Sequence, residues 1–570
     1  MLSAVVWTVV AAVAVVAEQP EVVTTLGTIK GSTIESLHGR TIFAFEGVPY
    51  AKPPIGKHRF KQSVPGTAWA GVLNATRIPN MCMQLPNPMT FKDFPLDVAG
   101  SEDCLYMNIY TTKLPADLPD GTLQDVIVHI HGGAFQMLSG DLWGPRHLLD
   151  RDFVYVNFNY RMGVLGFLSL DDKTCPGNNG LKDQTLALKW VNKHIAAFGG
   201  NPNSITITGI SAGGASVHYH LLSPLSKGLF HKAIANSGVV LNPWALTKRP
   251  REKALVIANA VGCSSNDSLL ILECLRDRPA EQLVVSSKLL ETWAGLPIDA
   301  IGPIIEQPSA NAFIDQQPID IIKSRTINDV PVIFSYTNDE GSVFVIRVLM
   351  EEKFNKELQE RWDDLLPHVL EYNDVMDPSH MTQIASEIRK YYLGDRNIME
   401  ALPDFVRSVS ERYFDNGIQE AAMLHAQHQA SPVYAYRFSY AGEKGFNPFN
   451  EMFQKFYQGQ APHGFDGQFY YSMGSPLFPP IQNFSESLAM SKTMIDYWES
   501  FIKGTPIASW STVKSGLPDW RFLDILGPET AGNVFKTEKT TSLNFWNGLN
   551  LKENSLEKMK SSLPPVHNEL

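Results

Sequence analysis

Short runs of β-branched and aliphatic residues, each bounded by turn-forming residues, recur along this chain and set the strongest limit on its fold. The runs are Val126–Ile130, Val154–Phe158, Ser204–Thr208, Val330–Phe334 and Val433–Phe438. Nearly continuous apolar character in such short runs is typical of strands buried on both faces of a parallel sheet. Helical patterns lie between them, for example over Leu181–Phe198 and Ala212–Leu222. This alternation predicts an α/β fold, with a mostly parallel central sheet and helices on both faces.

The chain has 570 residues but no Pro-, Gly- or Ser-rich linker and no internal repeat that would divide it. Length alone favours about three or four domains, although large α/β enzymes often form one. The segment 351–430 is charged and helix-prone, and we interpret it as an insertion that covers the sheet. We therefore predict a single elaborated domain over residues 18–570.

The N-terminal residues contain an uncharged apolar segment, Ser3–Ala17, which ends on a small residue before Glu18. The pattern predicts a cleaved signal peptide over residues 1–17, although no basic residue precedes the apolar stretch. The alternative is an uncleaved anchor, but spanning a bilayer takes about 20 apolar residues. We expect the mature chain to enter the secretory pathway and to have no membrane span after cleavage.

Two further features bear on that compartment. Sequons begin at Asn74, Asn266 and Asn483, which are predicted glycosylation sites. The last four residues read HNEL (567–570), one substitution from an HDEL retrieval signal. The sequence leaves two outcomes open: a retrieval receptor returns the protein to the endoplasmic reticulum lumen, or the protein is released outside the cell.

Charge and cysteine content exclude some classes of protein. The formal net charge of −11 is the wrong sign for binding nucleic acid phosphates, so we expect no nucleic-acid partner. The five cysteines are sparse and odd in number. In an oxidising compartment they allow at most about two disulfides and leave one thiol.

A Gly-x-Ser-x-Gly pattern, from Gly209 to Gly213, lies between the predicted strand Ser204–Thr208 and the predicted helix Ala212–Leu222. The glycines allow a tight turn that holds Ser211 in a strained backbone conformation. Such a turn lifts the hydroxyl above the sheet edge, at the N-terminus of the next helix. The alternative is an ordinary glycine-rich turn, so the pattern indicates a nucleophile only if a base and an acid accompany it.

In folds of this type the acid and then the histidine follow the serine along the chain. The histidines beyond residue 340 are His368, His380, His425, His428, His463 and His567. His463 is the preferred base, because its loop (APHGFDGQ) follows the strand Val433–Phe438 and can reach the sheet edge. The acid is Asp339 or Glu340 in the turn that ends VPVIFSYTNDEGS, and the residues alone do not distinguish them.

The strand Val126–Ile130 runs directly into His131-Gly132-Gly133-Ala134. Small residues in such a turn let backbone N–H groups approach a developing oxyanion closely. The segment therefore predicts part of an oxyanion hole, although a simple tight turn would have the same character.

Together these residues resemble the type-B carboxylesterase/cholinesterase family, and most closely its insect carboxylesterases. The resemblance spans roughly Val23 to the mid-500s. It is carried by FEGVPYAKPPIGKHRF (45–60), SEDCLYMNIY (101–110), NYRMGVLGFLS (159–169) and GLKDQTLALKWVNKHIAAFGGNP (180–202). The resemblance implies an α/β-hydrolase fold and a serine esterase that needs no metal or cofactor.

The resemblance also implies individual roles. By similarity, Ser211 is the nucleophile, Glu340 the acid and His463 the general base. The implied oxyanion donors are the backbone N–H groups of Gly133, Ala134 and Ala212. The implied disulfides are Cys82–Cys104 and Cys263–Cys274, with Cys175 free, and the implied ion pairs are Arg59–Glu102 and Arg161–Asp183.

The sequence departs from the family pattern in three places. Ile210 stands where a glutamate is frequent, and we expect it to tune the substrate pocket. The window Met83–Asp103 contains no tryptophan, whereas cholinesterases hold the quaternary ammonium of choline on a tryptophan in this loop. Gln460 and Phe465 replace a usual glycine and a common acid, so the support around His463 is expected to differ.

These features predict a carboxylesterase for uncharged, apolar, small-molecule esters, such as xenobiotic, odorant, pheromone or dietary esters. One alternative is a juvenile-hormone-type esterase, although those enzymes usually carry glutamine at the position of Ile210. An alternative of another class is a non-catalytic, neuroligin-like binding protein. Such relatives lack a working triad and have a membrane anchor after the domain, whereas this sequence keeps all three residues and shows no such anchor.

Overall fold

The computed structural model describes residues 19–85, 98–297, 300–453, 461–473, 479–505, 510–514, 519–529, 533–549 and 551. Three features of the sequence lie outside the described residues. They are the predicted signal peptide over 1–17, Gln460 and the C-terminal HNEL (567–570).

The strands are numbered in chain order. They are β1 (Glu21–Thr24), β2 (Gly27–Lys30), β3 (Ser32–Glu35), β4 (Thr41–Pro49), β5 (Val72–Asn74), β6 (Tyr106–Thr111), β7 (Gln124–Ile130), β8 (Trp143–Gly144), β9 (Phe153–Phe158), β10 (Gly200–Ile210), β11 (Lys232–Asn236), β12 (Val332–Thr337), β13 (Val433–Phe438), β14 (Ser472–Met473), β15 (Asp519–Ile525) and β16 (Val534–Lys539).

The α-helices follow the same convention. They are α1 (Gly163–Phe167), α2 (Asn179–His194), α3 (Ala212–Leu222), α4 (Pro250–Ala260), α5 (Ser268–Arg276), α6 (Ala280–Ser286), α7 (Pro318–Lys323), α8 (Ile346–Met350), α9 (Glu352–Glu360), α10 (Trp362–Val369), α11 (Pro378–Tyr392), α12 (Leu402–Ser410), α13 (Asn416–His428), α14 (Pro448–Phe453), α15 (Gly467–Tyr470), α16 (Ser485–Ile502) and α17 (Thr541–Gly548).

Eleven of the described strands form one sheet, in the order β16-β15-β13-β12-β11-β10-β7-β9-β6-β4-β3. The strands from β9 to β15 in that order pair in parallel. The pairs at the two edges, β15 with β16 and β9 through β6 and β4 to β3, are antiparallel. The predicted mostly parallel sheet is therefore confirmed.

Strand β7 shows why the central runs are almost wholly apolar. Val126 and Val128 belong to one buried cluster, which includes α2 and α3, whereas Ile127 between them belongs to a second cluster that includes α16. Successive side chains of a strand point to opposite faces. Both faces of the strand are covered by helices, which is why Val126, Ile127 and Val128 are all apolar.

Some observed elements have the predicted bounds, and others are shifted or longer: the strand predicted over Ser204–Thr208, for example, runs over Gly200–Ile210. The strand Val433–Phe438 and the helix Ala212–Leu222 have the predicted bounds. The strand predicted over Val330–Phe334 instead runs over Val332–Thr337, because Pro331 has no N–H to donate. The edge strands β3, β4, β6, β15 and β16 were not predicted. Strand β16, for example, alternates between exposed and half-buried residues and has no continuous apolar run.

The segment 351–430, interpreted as an insertion, contains helices α9 to α13 and joins β12 to β13. A short π-helical turn, Glu411–Asp415, links α12 to α13. Helix α13 packs against β12 and β13, which brings the end of the insertion onto one face of the sheet.

The cysteines pair as the resemblance implies. Cys82 is bonded to Cys104 and Cys263 to Cys274, while Cys175 is a buried free thiol. Burial raises the pKa of the Cys175 thiol to about 12, so it stays protonated and unreactive.

Two observations concern glycosylation and membrane spans. The three predicted glycosylation residues, Asn74, Asn266 and Asn483, are exposed. None of the helices in the described part of the chain combines the length and apolar character that crossing a bilayer requires.

Two buried ion pairs fix loops beneath the sheet edge. Asp183 at the start of α2 accepts from Nε and Nη2 of Arg161, both at 2.7 Å, and both side chains are almost fully buried. Arg59 makes the corresponding two-point contact with Glu102 at 2.7 and 2.6 Å. Such bidentate geometry compensates each charge for its lost hydration.

We predict that Asp183→Ala lowers the free energy of unfolding by about 3–5 kcal/mol, because it leaves the Arg161 charge buried without its partner. Denaturant unfolding followed by tryptophan fluorescence measures the loss. Asp152→Ala is the control, since Asp152 pairs with Arg40 and Lys113 at the exposed surface, where an ion pair contributes about 0–1 kcal/mol. Equal losses for the two variants would contradict the prediction.

Candidate active site

Ser211 is the single residue between strand β10 and helix α3, and its backbone has φ 62°. Glycine is needed at Gly209 and Gly213 because a larger side chain would not fit against the neighbouring backbone. A Cβ at Gly209 would lie 2.2 Å from the carbonyl oxygen of Gly213, and a Cβ at Gly213 would lie 2.0 Å from that of Ile130. The turn is therefore the strained strand-to-helix turn predicted from the sequence.

Hydrogen bonds fix this turn on both sides. The N–H of Ser211 donates to the carbonyl of Asn236 on β11 at 2.9 Å, and the N–H of Ala215 donates to the carbonyl of Ser211 at 2.9 Å. Ala212 is the first residue of α3, so its N–H has no acceptor within the helix.

The segment that follows β7 packs closely against the turn that carries Ser211. A Cβ at Gly132 would lie 2.5 Å from the Ile210 carbonyl oxygen and 3.0 Å from Cβ of Ser211. Gly133 and Ala134 both have positive φ, 101° and 54°. Ala134 and Ser211 line the same cavity. Small residues are thus needed here, and the predicted oxyanion segment lies beside the predicted nucleophile.

Glu340 lies in the turn after β12 and is fully buried. Its Oε1 accepts from the N–H of Thr337 at 2.7 Å and from the hydroxyl of Ser237 at 2.6 Å. Its Oε2 lies 2.5 Å from Nδ1 of His463. Of the two acids left open by the residues alone, Glu340 is the one whose carboxylate contacts His463.

Asp339 instead helps to hold the histidine loop through its backbone. Its N–H donates to the Ala461 carbonyl at 3.1 Å, and the side chain of Asn338 accepts from the N–H of Ala461 at 2.8 Å. The loop is therefore tied to the same turn that carries Glu340.

The imidazole of His463 is oriented by Glu340, and no hydrogen bond joins its Nε2 to Ser211 in the described part of the chain. A carboxylate only accepts, so the proton lies on Nδ1 and Nε2 is left with its lone pair. Nε2 is buried and has no hydrogen-bond partner among the described residues. The ring packs against Phe414 and Phe344, with centroids 4.6 and 5.1 Å away. Phe344 also lines the cavity of Ser211, so the imidazole lies directly behind the cavity wall.

The expectation that Ile210 tunes the substrate pocket is wrong. Its side chain points toward the residues after His463: a Cβ at Gly467 would lie 2.8 Å from Cδ1 of Ile210 and also 2.8 Å from the Trp143 ring. Successive residues of a strand point to opposite faces, so the residue before Ser211 packs beneath the histidine loop rather than in the cavity.

Asp466, three residues after His463, is a buried acid that sequence reasoning missed. Its Oδ2 accepts from the side-chain amide of Asn236 and from the hydroxyl of Tyr436, both at 3.1 Å. Burial, and then the charge of Glu340, raises the pKa of Asp466 to about 6. The only sequence signal is its spacing from His463, because Phe465 occupies the position at which an acid was expected.

Seven residues line the cavity at the serine, which has room for about 20 Å³. They are Ala134, Ser211, Trp244, Leu296, Phe344, Glu371 and Tyr413. Apart from the serine hydroxyl, the Glu371 carboxylate and the Tyr413 hydroxyl, the walls are apolar. Across the described residues, no group of three or more His, Cys, Asp and Glu side chains is arranged to hold a metal ion.

The chain is similar to a group of known proteins over nearly its whole length. The model of the carboxylesterase family matches residues 18–555. Esterase FE4 of Myzus persicae is 39% identical over 528 residues, which cover 92% of this chain and 89% of that protein. Venom carboxylesterase-6 of Apis mellifera is 37% identical over 542 residues, which cover 94% of this chain and 95% of that protein.

A solved structure is similar as well. The crystal structure of juvenile hormone esterase from Manduca sexta, with OTFP covalently attached, matches with a TM-score of 0.79 at 27% identity. The match covers 94% of this chain and all of that one.

We predict that Asp466→Asn stabilises the protein at neutral pH. The raised pKa means that the folded state binds a proton more tightly than the unfolded state, so stability falls as pH rises from about 4 to about 6. The neutral amide avoids this loss, which amounts to about 2–3 kcal/mol above that window. Melting temperatures of wild type and variant between about pH 4 and pH 8 measure the difference, which should vanish at the acid end. A variant that is less stable throughout would show that the Asp466 charge is itself stabilising.

Proposed function

The chain belongs to the carboxylesterase family and is a carboxylic ester hydrolase with the predicted α/β-hydrolase fold; we propose that Ser211, Glu340 and His463 are its catalytic triad. The 2.5 Å contact between His463 Nδ1 and Glu340 Oε2 carries this proposal. The strands before Ser211 and Glu340 are parallel and end at the same sheet edge, to which the His463 loop is tied. The three residues are therefore grouped at one place although far apart in sequence.

In the proposed acylation step, the Ser211 hydroxyl oxygen attacks the ester carbonyl carbon while His463 Nε2 takes the hydroxyl proton. The imidazolium that forms is stabilised by the buried Glu340 carboxylate. Its proton then passes to the alcohol oxygen as the ester C–O bond breaks. The products of this step are a free alcohol and an acyl group on Ser211.

In the deacylation step, His463 takes a proton from water as the water oxygen attacks the acyl carbon. The bond to Ser211 Oγ breaks, the proton returns to that oxygen, and the carboxylic acid leaves. In both steps the carbonyl oxygen becomes negative. The N–H groups of Gly133, Ala134 and Ala212 are the proposed donors to it, and each such donor stabilises the transition state by about 3–4 kcal/mol.

The proton transfer from Ser211 requires the contact with His463 Nε2 to close. In enzymes of this kind such hydrogen bonds often tighten only when substrate is bound. Nε2 of His463 is buried and has no hydrogen-bond partner among the described residues, so it is available to accept the serine proton. We therefore propose that the contact between His463 and Glu340 exists in the free enzyme and that the contact with Ser211 closes when substrate binds.

The proposed substrates are uncharged, apolar esters. Trp244, Leu296 and Phe344 supply a largely apolar wall, which favours groups that lose little hydration on binding. The absence of a tryptophan in the window Met83–Asp103 removes the cation–π contact expected for choline esters. Xenobiotic, odorant, pheromone and dietary esters all fit this description.

Juvenile-hormone-type hydrolysis is the second candidate. It is supported by the structural likeness to the Manduca sexta juvenile hormone esterase and by a relative of that name in Tribolium castaneum, at 31% identity. The general esterases are more similar in sequence, at 37–40% identity. General carboxylesterase activity is therefore the preferred proposal.

We propose the secretory pathway as the route of this protein. The two disulfides support an oxidising compartment, and all three predicted glycosylation residues, Asn74, Asn266 and Asn483, are exposed for modification. Retrieval by a receptor that binds the C-terminal HNEL is the finer proposal, with release outside the cell as its alternative.

We predict that Ser211→Ala lowers kcat/KM for a naphthyl acetate by at least about four orders of magnitude, because no other group can form the acyl-enzyme. An unchanged melting temperature shows that the variant is folded. An organophosphate should label wild type once, at Ser211, and should not label the variant. Wild-type turnover by the variant would exclude the whole mechanism.

We also predict that acetylthiocholine is hydrolysed more slowly than a short naphthyl ester of the same acid. The quaternary ammonium loses hydration in a largely apolar cavity and gains no aromatic contact from the first disulfide loop. The measurement is kcat/KM for each of the two esters on the same enzyme preparation. A higher value for acetylthiocholine would contradict the proposed preference for uncharged esters.

A further inference from the structure

One helical segment contacts both the turn that carries Glu340 and the ring of His463. Helices α12 and α13 are joined by the π-helical turn Glu411–Asp415, and the backbone stays helical on both sides of it, with φ −57° at Ser410 and φ −66° at Asn416. In a π turn the backbone hydrogen bond spans one residue more than in an α-helix. Such turns inside α-helices are frequent at functional sites, so the contacts of this turn bear on function.

Two adjacent residues of the π turn face different parts of the site. Tyr413 lines the cavity of Ser211. Phe414 is fully buried and is not among the seven residues described as lining that cavity. Its ring instead packs against His463, with centroids 4.6 Å apart and ring planes inclined by 36°. One turn of helix therefore supplies part of the cavity wall and a contact with the proposed base.

The backbone of the π turn is fixed by the segment that follows β11. Nε1 of Trp244 donates to the carbonyl of Tyr413 at 2.9 Å, and the side-chain amide of Asn242 donates to the carbonyl of Phe414 at 3.0 Å. A Cβ at Gly417 would lie 2.5 Å from the amide nitrogen of Asn242. Because β11 pairs with β10, the turn is held relative to the strand that leads to the proposed nucleophile.

The end of α12 holds the turn that carries Glu340. The N–H of Gly341 donates to Oγ of Ser410 at 2.8 Å. A Cβ at Gly341 would lie 2.5 Å from the carbonyl oxygen of Val406, so the turn and the helix are in direct contact. The same helical segment therefore contacts the turn of the proposed acid and the ring of the proposed base.

The contact with Glu340 fixes His463 at Nδ1 alone, and a ring held at one atom can still pivot about it. Phe414 packs against the imidazole and limits that movement. Proton transfer from Ser211 depends on where Nε2 lies, and a misplacement of about 1 Å can cost roughly 100-fold in rate.

We propose that the π turn is a positioning element for the proposed base and that Phe414 is its positioning residue. This inference rests on the proposed function and adds a residue to it that does not touch the substrate. Since Tyr413 and Phe414 are adjacent, the turn also keeps the base in a fixed relation to the cavity wall.

Phe414→Leu tests the inference, because it removes the ring that contacts His463 and leaves every residue of the cavity wall in place. We expect kcat for a naphthyl acetate to fall roughly 10- to 100-fold, since the imidazole departs from its productive position. KM should change by less than about twofold, because acylation and deacylation both use His463 and slow together. Phe414→Met, which keeps a flexible apolar side chain in the same space, should show the same loss of kcat.

Phe405→Leu is the matched control. Phe405 is also fully buried, lies on α12, and packs its ring against Trp362. Loss of either ring from the core should lower the melting temperature. Only the variants at Phe414 should lose kcat, whereas Phe405→Leu should keep the wild-type value.

Equal losses of kcat at the two positions would indicate a general loss of packing and would overturn the inference. An unchanged kcat in the folded Phe414 variants, or a loss that appears only as a higher KM, would overturn it as well. The proposed function is tested separately by His463→Ala: wild-type turnover by that variant would exclude the proposed base, whereas no result at Phe414 does so.

Discussion

The close approach of three backbone segments around Ser211 is the constraint on which the rest of the site depends. The end of β7, the turn between β10 and α3, and the end of β11 meet so tightly that Gly132, Gly213 and Gly238 have no room for a Cβ. At Gly238 such an atom would lie 2.0 Å from the carbonyl oxygen of Ser211. Parallel pairing of the three strands sets this approach. The sheet therefore fixes the proposed nucleophile and the proposed oxyanion segment relative to each other.

A second set of contacts holds the proposed acid and the proposed base next to these three segments. Thr337 and Ser237 donate hydrogen bonds that fix the Glu340 carboxylate. The carboxylate in turn contacts Nδ1 of His463 and orients the imidazole. Asn236 links the two sets, because its carbonyl holds Ser211 and its side-chain amide donates to Asp466. Ile210 then fills the space beneath the histidine loop with an apolar group. Asp466 is thus a buried acid near the Glu340 carboxylate, and burial, followed by that charge, raises its pKa.

The sequence alone predicted those parts of the structure that are determined by a single local cause. The apolar runs predicted the central strands, since both faces of a parallel sheet are buried, and the glycine pattern predicted the turn at Ser211. Of the edge strands that were missed, β16 alternates between exposed and half-buried residues and has no continuous apolar run, so tertiary pairing decides it. The direction of the Ile210 side chain and the burial of Asp466 were also out of reach. Both depend on which loop packs against the strand, and that loop is about 250 residues away in sequence.

The two halves of the site come from different parts of the chain. Ser211 and the proposed oxyanion donors lie in turns at the ends of sheet strands, whereas Glu371 and Tyr413 reach the cavity from the 351–430 segment of helices α9 to α13. That segment contributes no member of the proposed triad. Phe414 of the same segment also packs against the His463 ring. A substitution at Glu371 or Tyr413 therefore changes the cavity directly, whereas one at Phe414 also reaches the proposed base.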